Sequence, residues 1–281
     1  MKCTRCLSAS DGDCIIRGKV YPLCRSCAQP VVAHITSTPT MTREAISTPY
    51  PIVSRGKVFQ IMACGAEAWH PSFWSFSDEL ETRELWWDIK PGDVVADVGA
   101  DFGSYTLSAL AQGAAHVFAW SPPFKVPNYP IECETMARSA QLNGWENYTR
   151  LSLFASGLWS CAGWLACRDW SEGSSYFQTE EEASAHAPNG VVFEVQPLDA
   201  LNIQKLDWLK CDAEGAELEI LKGATGTLRR CKPAVMLENH VHIDPDCDAK
   251  CREFLAGLGY AQVGETRPHH SISHSLYRVT T

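Results

Sequence analysis

The sequence contains 281 residues, of which 45% are hydrophobic and 20% charged, and its formal net charge at pH 7 is −9. This composition is typical of a globular protein with one sizeable domain and a small appendage, and its acidity disfavours a nucleic-acid substrate, whose phosphates require a basic surface. No apolar run approaches the roughly 18 residues of a membrane-spanning helix, and the N-terminus lacks the apolar segment of a secretory signal, so a cytoplasmic location without membrane attachment is expected.

The first 30 residues differ in charge from the rest of the chain. They carry five basic and two acidic residues, a net charge of +3, which leaves −12 for the remainder. The pattern C-x2-C-x17-C-x2-C is formed by Cys3, Cys6, Cys24 and Cys27. Four thiolates complete a closed tetrahedral zinc site, which is structural because no position remains for catalysis. The pattern resembles a zinc ribbon and predicts a module over residues 1–35 that folds on zinc and docks on its own chain or on a protein partner.

Residues 36–77 separate this module from the main part of the chain. Within them, TSTPTMTREAISTPYP (residues 36–51) is rich in threonine, serine and proline, which is typical of a linker or an extended strap. We therefore predict a linker and N-terminal extension over residues 36–77 and the main domain over residues 78–281.

Helical and strand patterns alternate from residue 78 onwards. Such alternation implies right-handed βαβ units in an α/β fold with a mostly parallel sheet, whose ligands lie at the carboxyl ends of the strands. The last two strands, YAQVGE and SLYRVT, suit a hairpin. The elements before them are, in order, helix DELETRELWWDI, strand VVADVG, a helix over 104–112, strand HVFAW, helix ECETMARSAQLNG, strand RLSLFAS, a polar break over 169–190, strand VVFEV, strand LDWLKCD, helix AELEILKGATGTLRR, strand PAVMLEN and helix DAKCREFLAGLG.

The stretch VVADVGADFG joins a buried strand to a helix through a turn that contains Gly99 and Gly103. Glycine permits a tight turn and a close approach of the backbone to a ligand. The spacing does not match the dinucleotide pattern G-x-G-x-x-G, and a carboxylate at Asp101 would repel a phosphate. A cationic ligand fits this turn better, and a tight turn without any ligand is the alternative.

Three further segments accompany this turn: QLNG (residues 141–144), DWLKCDAEGAELEILKGA (residues 207–224) and PAVMLENH (residues 233–240). Together they resemble the FkbM-type family of S-adenosylmethionine-dependent methyltransferases over about residues 78–265. The run D-x-E-G-A-E-L-x-x-L-K-G-A is the most specific part. The resemblance implies a Rossmann-like seven-stranded class I methyltransferase fold, S-adenosylmethionine as cofactor, and methylation of a hydroxyl group on a sugar, a glycan or a secondary metabolite.

The resemblance also implies roles for individual residues. The first cofactor motif corresponds to Asp97, Gly99, Ala100 and Gly103, with Asp101 where the family commonly has asparagine. The helix-end motif corresponds to Asn143 and Gly144, the late motif to Asp212, Glu214, Gly215 and Glu217, and the acid–x–His motif to Glu238 and His240. Of the late motif, Glu214 is predicted to bind cofactor, whereas Glu217 is interpreted as a carboxylate that favours a helix dipole.

One residue departs from the family pattern. The family usually places a glutamate after the second strand, where it binds both ribose hydroxyls, but here the residues are AWSP and Ser121 stands in the acid's place. A carboxylate accepts two charge-assisted hydrogen bonds from a diol, and a serine cannot. The loss would weaken cofactor binding by about 1.5–3 kcal/mol, unless Glu132 or Glu134 on the next helix compensates.

Transfer to a hydroxyl group requires alignment and removal of a proton. Asp212, Glu238 and His240 are predicted to gather at strand ends, with His240 as the general base. In the alternatives, His240 only bonds a loop, or the three residues bind a divalent cation that lowers the pKa of the acceptor hydroxyl. Hard cations prefer oxygen ligands and only two carboxylates are available, so proton transfer to His240 is favoured over the cation.

Three histidines near the C-terminus and the tryptophans also resemble functional groups, but structural roles are favoured for both sets. His269, His270 and His274 lie in RPHHSISH, which predicts a solvated loop rather than a metal cluster. The ten tryptophans include candidates for a sugar-binding platform, although aromatic residues mostly fill cores.

The sequence thus favours a methyltransferase that acts on a hydroxyl of a small molecule or glycan. The alternative is a catalytically weak or inactive methyltransferase fold that serves as a scaffold or binding subunit through its zinc ribbon, which Ser121 favours. Methylation of nucleic acid is disfavoured, because CDAE stands where an N/D-P-P-Y/F motif would end the fourth strand.

Overall fold

The computed structural model describes residues 12–16, 19–23, 46–64, 80–122, 131–145, 150–168, 174–266 and 272–280. The predicted zinc ligands Cys3, Cys6, Cys24 and Cys27 lie outside these residues. In the described part of the chain, no helix combines the length and the apolar character that crossing a bilayer would require.

The described residues form strands and helices that alternate along most of the chain. The strands are β1 (Gly12–Ile16), β2 (Lys19–Leu23), β3 (Ile46–Ser54), β4 (Lys57–Cys64), β5 (Val94–Val98), β6 (His116–Trp120), β7 (Leu151–Phe154), β8 (Gly157–Leu158), β9 (Gly163–Cys167), β10 (Ser175–Phe177), β11 (Val191–Gln196), β12 (Trp208–Cys211), β13 (Ala234–His240), β14 (Tyr260–Glu265) and β15 (Ile272–Val279). The helices are α1 (Leu80–Trp86), α2 (Ser104–Gln112), α3 (Ile131–Leu142), α4 (Glu180–His186), α5 (Glu217–Gly223), α6 (Thr225–Cys231) and α7 (Cys247–Gly257), with a 3₁₀ helix at Leu198–Leu201.

A seven-stranded sheet forms the centre of the fold, in the order β14-β15-β13-β12-β5-β6-β7. The five strands from β13 to β7 are parallel to one another, whereas β15 is antiparallel to both β13 and β14. The predicted α/β fold with a Rossmann-like seven-stranded sheet is therefore confirmed, and so is the final hairpin.

The central strands are buried on both faces, as parallel strands covered by helices must be. Side chains alternate across the sheet, so Val95 packs in the core on one face and Ala96 in the core on the other. This double burial explains why the strands read as apolar runs in the sequence.

A second sheet lies between β7 and β12 in the chain, in the order β10-β9-β11-β8. The predicted strand VVFEV is present as β11 but belongs to this smaller sheet, and the expected polar break contains β10 and α4. Trp159 stacks on Tyr176 there, with ring centroids 6.1 Å apart. By contrast, Trp87 and Trp120 are wholly buried in the main core.

The hairpin β3–β4 lies within the segment predicted as linker and packs on the main domain. Phe59 and Ile61 are each 2% exposed in the core that β5 and α2 share. At the end of α3, the Asn143 amide donates to the Gln60 carbonyl at 2.6 Å and accepts from the Gln60 N–H at 2.7 Å. The domain boundary at residue 78 stays a prediction.

One predicted helix, AELEILKGATGTLRR, is divided into α5 and α6. The Asp199 carboxylate accepts hydrogen bonds from the N–H groups of Gly226 and Thr227, each at 2.7 Å. A side chain that satisfies these amides gives α6 its own N-terminus and allows the helix axis to change. The division of this helix depends on Asp199, which lies 27 positions before Gly226. The local sequence pattern therefore did not indicate it.

Candidate functional site

The ends of four neighbouring parallel strands bring the predicted site residues together. Val98 pairs with Trp120 of β6 on one side and with Cys211 of β12 on the other, and Cys211 pairs with Leu237 of β13. The residues that follow these positions are Gly99, Ser121, Asp212 and Glu238. They consequently lie at one edge of the sheet, where α/β folds bind their ligands.

The glycine turn is held tightly against this edge. Gly99 has a φ of 73°, and a Cβ at this position would lie 1.6 Å from the Asp212 carbonyl oxygen. The N–H groups of Gly99 and Ala100 both donate to the Trp120 carbonyl, at 3.0 and 2.8 Å. Asp101 has a φ of 49°, a left-handed conformation that aspartate and asparagine tolerate better than most residues. That tolerance gives a physical reason for an Asp in this turn.

A buried lysine that sequence reasoning missed joins the carboxylates of β5 and β12. Lys210 is 3% exposed, and its Nζ donates to the Gly99 carbonyl and to Asp212 Oδ2, both at 2.9 Å. The same Nζ lies 3.6 Å from Oδ1 of Asp97, whose Oδ2 accepts a 2.6 Å hydrogen bond from Thr106. Lys210 lies on β12, two residues before Asp212, which directly follows that strand, so both side chains face the same side. A lysine inside an otherwise apolar strand was the signal that could have revealed it.

The two aspartates respond differently to this environment. Burial raises the pKa of Asp97 and outweighs the opposing effects of Lys210 and Thr106. Burial also acts to raise the pKa of Asp212, but the charges of Lys210 and His240 lower it below its usual range. Asp212 is therefore the more stable anion and carries negative charge at the edge of the site.

His240 is oriented by a wholly buried glutamate. Its Nδ1 lies 2.8 Å from Glu217 Oε1, which also accepts hydrogen bonds from the N–H groups of Ala213 (2.9 Å) and Gly215 (3.3 Å). The thiol of Cys247 donates to Glu217 Oε2 at 3.4 Å. Glu217 lies in the first turn of α5, as predicted, and its oxygens also bind an imidazole, a loop and a thiol.

The second ring nitrogen of His240 faces the other carboxylates. Nε2 lies 3.5 Å from Asp212 Oδ1 and 3.4 Å from Glu214 Oε2. Burial acts to lower the pKa of His240, but Glu217, Asp212 and Glu214 together raise it to about 9. With Nδ1–H bonded to Glu217, Nε2 is the nitrogen that can exchange a proton with a ligand.

Asp212, Glu238 and His240 form a compact group, as predicted. One potential ligand atom from each lies within 4.8 Å of the others. Glu238 Oε2 also lies 3.7 Å from Nε2 of His274. His274 belongs to β15 and is 7% exposed, and burial lowers its pKa to about 4. The prediction that it lies in a solvated loop is wrong, because pairing with β13 carries it into the sheet; His269 and His270 lie outside the described residues.

Two predicted cofactor residues have other described contacts. Ser121 is 3% exposed, and its N–H donates to the Phe154 carbonyl at 3.0 Å. Asn143 follows the far end of α3, where it binds Gln60 of β4. Ten residues of helix, about 15 Å, separate it from the first turn of α3, so a role for Asn143 in cofactor binding remains a prediction.

The site as a whole carries an excess of negative charge. Five carboxylates face two basic side chains, Lys210 and His240. These carboxylates belong to Asp97, Asp212, Glu214, Glu217 and Glu238. A site with this balance favours a cationic ligand and disfavours a phosphate.

A comparison with protein families matches residues 97–261, more than half of the chain, to the methyltransferase FkbM domain. A comparison with curated proteins found no match.

Solved structures with a similar fold include an FkbM methyltransferase from Methylobacillus flagellatus KT, at 16% identity and a TM-score of 0.49. That alignment covers 66% of this chain but only 43% of the other chain. A proposed S-adenosylmethionine-dependent methyltransferase from Streptococcus mutans aligns over 83% of this chain and 56% of its own, at 8% identity and a TM-score of 0.50. At these identities the likeness concerns the fold alone.

Proposed function

Since the chain belongs to the FkbM methyltransferase domain family, we propose that it transfers a methyl group from S-adenosylmethionine to a hydroxyl group. The acceptor would be a small molecule or a glycan, such as a sugar or a secondary metabolite. The observation that carries this proposal is the position of His240, which Glu217 holds through Nδ1 while Nε2 faces the carboxylates beside the glycine turn.

The acid-rich strand edge suits the cationic cofactor. When bound, S-adenosylmethionine supplies a methyl carbon activated by the sulfonium, so the protein contributes mainly alignment. The turn from Gly99 to Gly103 would hold the methionine end. Asp97 would act through this turn, because its carboxylate and Lys210 tie β5, the Gly99 carbonyl and Asp212 together. Glu214, whose Oε2 lies 3.4 Å from His240 Nε2, would meet the ligand's positive charge.

His240 would accept the proton of the acceptor hydroxyl. With a pKa of about 9, the imidazole is protonated at neutral pH before a ligand binds. A positive charge brought close to it disfavours the protonated form, so the cofactor would lower this pKa and prepare the neutral base. A lower pKa of His240 with S-adenosylmethionine than with S-adenosylhomocysteine, which lacks the sulfonium charge, measured by NMR, would support this step.

The alternative role of Asp212, Glu238 and His240 as ligands of a divalent cation is less favourable. Lys210 already donates to Asp212 Oδ2 at 2.9 Å and supplies positive charge there. A cation at His240 Nε2 would also remove the base. We therefore favour direct proton transfer.

Calorimetric titration with S-adenosylhomocysteine tests the proposal. We expect saturable one-to-one binding to the whole 281-residue chain at a dissociation constant well below millimolar, because product and cofactor share the adenosine and amino-acid parts. The Glu219→Gln variant should bind equally well, since Glu219 pairs with Lys222 on the outer side of α5. If no binding is detected at millimolar ligand, the proposed methyltransferase activity is refuted, and the alternative of an inactive fold that serves as a scaffold or binding subunit remains.

We also propose that Cys3, Cys6, Cys24 and Cys27 bind one structural zinc and form a module through which the chain contacts a protein partner. The support is their spacing and the +3 charge of residues 1–30. Protein purified under reducing conditions should contain about one zinc per chain, and Cys3→Ser should lower this content. The matched control is Cys161→Ser, since Cys161 is an exposed free thiol. Wild-type protein without zinc would refute the assignment.

A further inference from the structure

The end of β6 poses a problem for binding an adenosine. In Rossmann-like folds, an acid about 20 residues after the glycine turn bonds the ribose hydroxyls. Ser121 occupies that place and is 3% exposed. Its hydroxyl cannot offer the two anionic acceptor sites that a diol uses.

The first turn of α3 packs directly against this strand end. The thiol of Cys133 donates to the Ser121 carbonyl at 3.5 Å. One turn further along, α3 meets the glycine turn, because a Cβ at Gly103 would lie 2.6 Å from Met136 Cγ. The N-terminal half of α3 therefore borders both the end of β6 and the turn proposed to hold the cofactor.

Glu132 lies on the face of α3 that borders these two features. It precedes Met136 by four residues, so the two side chains share one face of the helix. Glu132 is wholly buried, and its charge adds to burial in raising the pKa of Cys133 to about 12. The carboxylate consequently lies inside the protein and close to the residue that contacts Ser121.

The other acid of this turn faces away. Glu134 pairs with Arg138 one turn later on the outside of α3, and 33% of its side chain is exposed. Both acids lie in the first helical turn, where a negative charge is favoured by the helix dipole, but of the two only Glu132 points inward.

We propose that Glu132 replaces the missing acid and accepts hydrogen bonds from the ribose hydroxyls of the cofactor. The inference rests on the proposed function, because it assumes that an adenosine binds at this strand edge. It assigns the recognition of the ribose to α3 instead of the end of β6.

Titration calorimetry with two ligands tests this role. The ligands are S-adenosylhomocysteine and its 2′-deoxy analogue, measured on the whole chain as wild type, Glu132→Gln and Glu134→Gln. The wild type should prefer the ribose form tenfold or more, which is the effect of a charge-assisted hydrogen bond. Glu132→Gln should lose at least tenfold in affinity for S-adenosylhomocysteine and most of this preference, whereas Glu134→Gln should match the wild type.

Three outcomes would overturn the proposal or its premise. Unchanged affinity and preference in Glu132→Gln would overturn the role of Glu132 and leave the proposed function intact. Equal losses in Glu132→Gln and Glu134→Gln would also overturn it, because the effect would not be specific to the inward carboxylate. Absence of binding to the wild type would overturn the proposed function itself. If thermal unfolding shows that Glu132→Gln does not fold, Glu132→Asp takes its place, and its shorter carboxylate must weaken the ribose preference.

Discussion

Replacement of His240 by asparagine is expected to lower methyl transfer about 10²- to 10⁴-fold, the range typical of a general base, with little change in affinity for S-adenosylhomocysteine. The amide nitrogen of asparagine can occupy the place of Nδ1 and continue to donate to Glu217, so the fold should persist. What disappears is Nε2, the nitrogen that faces Asp212 and Glu214. The measurement is transfer of tritiated methyl from S-adenosylmethionine to a hydroxyl-bearing acceptor.

His242→Ala provides the matched control for this prediction. His242 lies two residues later, is exposed, and its ring centroid lies 5.7 Å from that of His240. Full activity of His240→Asn across neutral pH would rule out His240 as the general base. The cation alternative makes a different prediction: after treatment with a chelator, added magnesium alone would restore wild-type activity, whereas activity that depends on a histidine base gains nothing from magnesium.

Replacement of Glu217 by glutamine is expected to lower the pKa of His240 and to destabilise the protein. Glu217 raises this pKa through a hydrogen bond and through its charge, and loss of one partner of a buried ion pair costs about 3–5 kcal/mol. The pKa of His240 should fall from about 9 toward its ordinary value of about 6.5. Histidine NMR titration measures it directly without an acceptor.

The raised pKa of His240 also makes the free energy of unfolding depend on pH. A folded-state pKa raised above the unfolded value stabilises the protein most below pH 6.5, and this contribution disappears as the pH rises through 9. For the wild type the loss is about 3 kcal/mol. Urea unfolding at pH 6 and pH 9.5 should show a clearly smaller loss in Glu217→Gln. Glu219→Gln, on the outer side of the same helix, should behave as the wild type, and an identical pH dependence in Glu217→Gln would contradict the pairing.

The sequence pattern around His240 indicated a functional residue more clearly than the pattern around Glu217. His240 was recognisable because an acid–x–His pattern follows an apolar strand. Glu217 is 23 residues away and looked like an ordinary helix-start carboxylate. Only the return of β13 beside β12 brings the imidazole to that helix start.

The sequence by itself determined the order and type of most secondary-structure elements, the parallel sheet and the glycine turn. Those features follow from local causes: apolar runs make buried strands, glycine permits positive φ, and alternating strands and helices allow few topologies. For the same reason it indicated which strand ends carry Asp97, Asp212, Glu238 and His240.

The tertiary structure decided which side chains meet, since those contacts join residues far apart in the chain. Lys210 reaches the Gly99 carbonyl across 111 positions, and Asn143 reaches Gln60 across 83. Burial then set the chemistry, because removal from water makes each charge depend on its nearest partner. That is why Glu217, Asp212 and Glu214 together raise the pKa of His240, whereas burial itself lowers the pKa of His274.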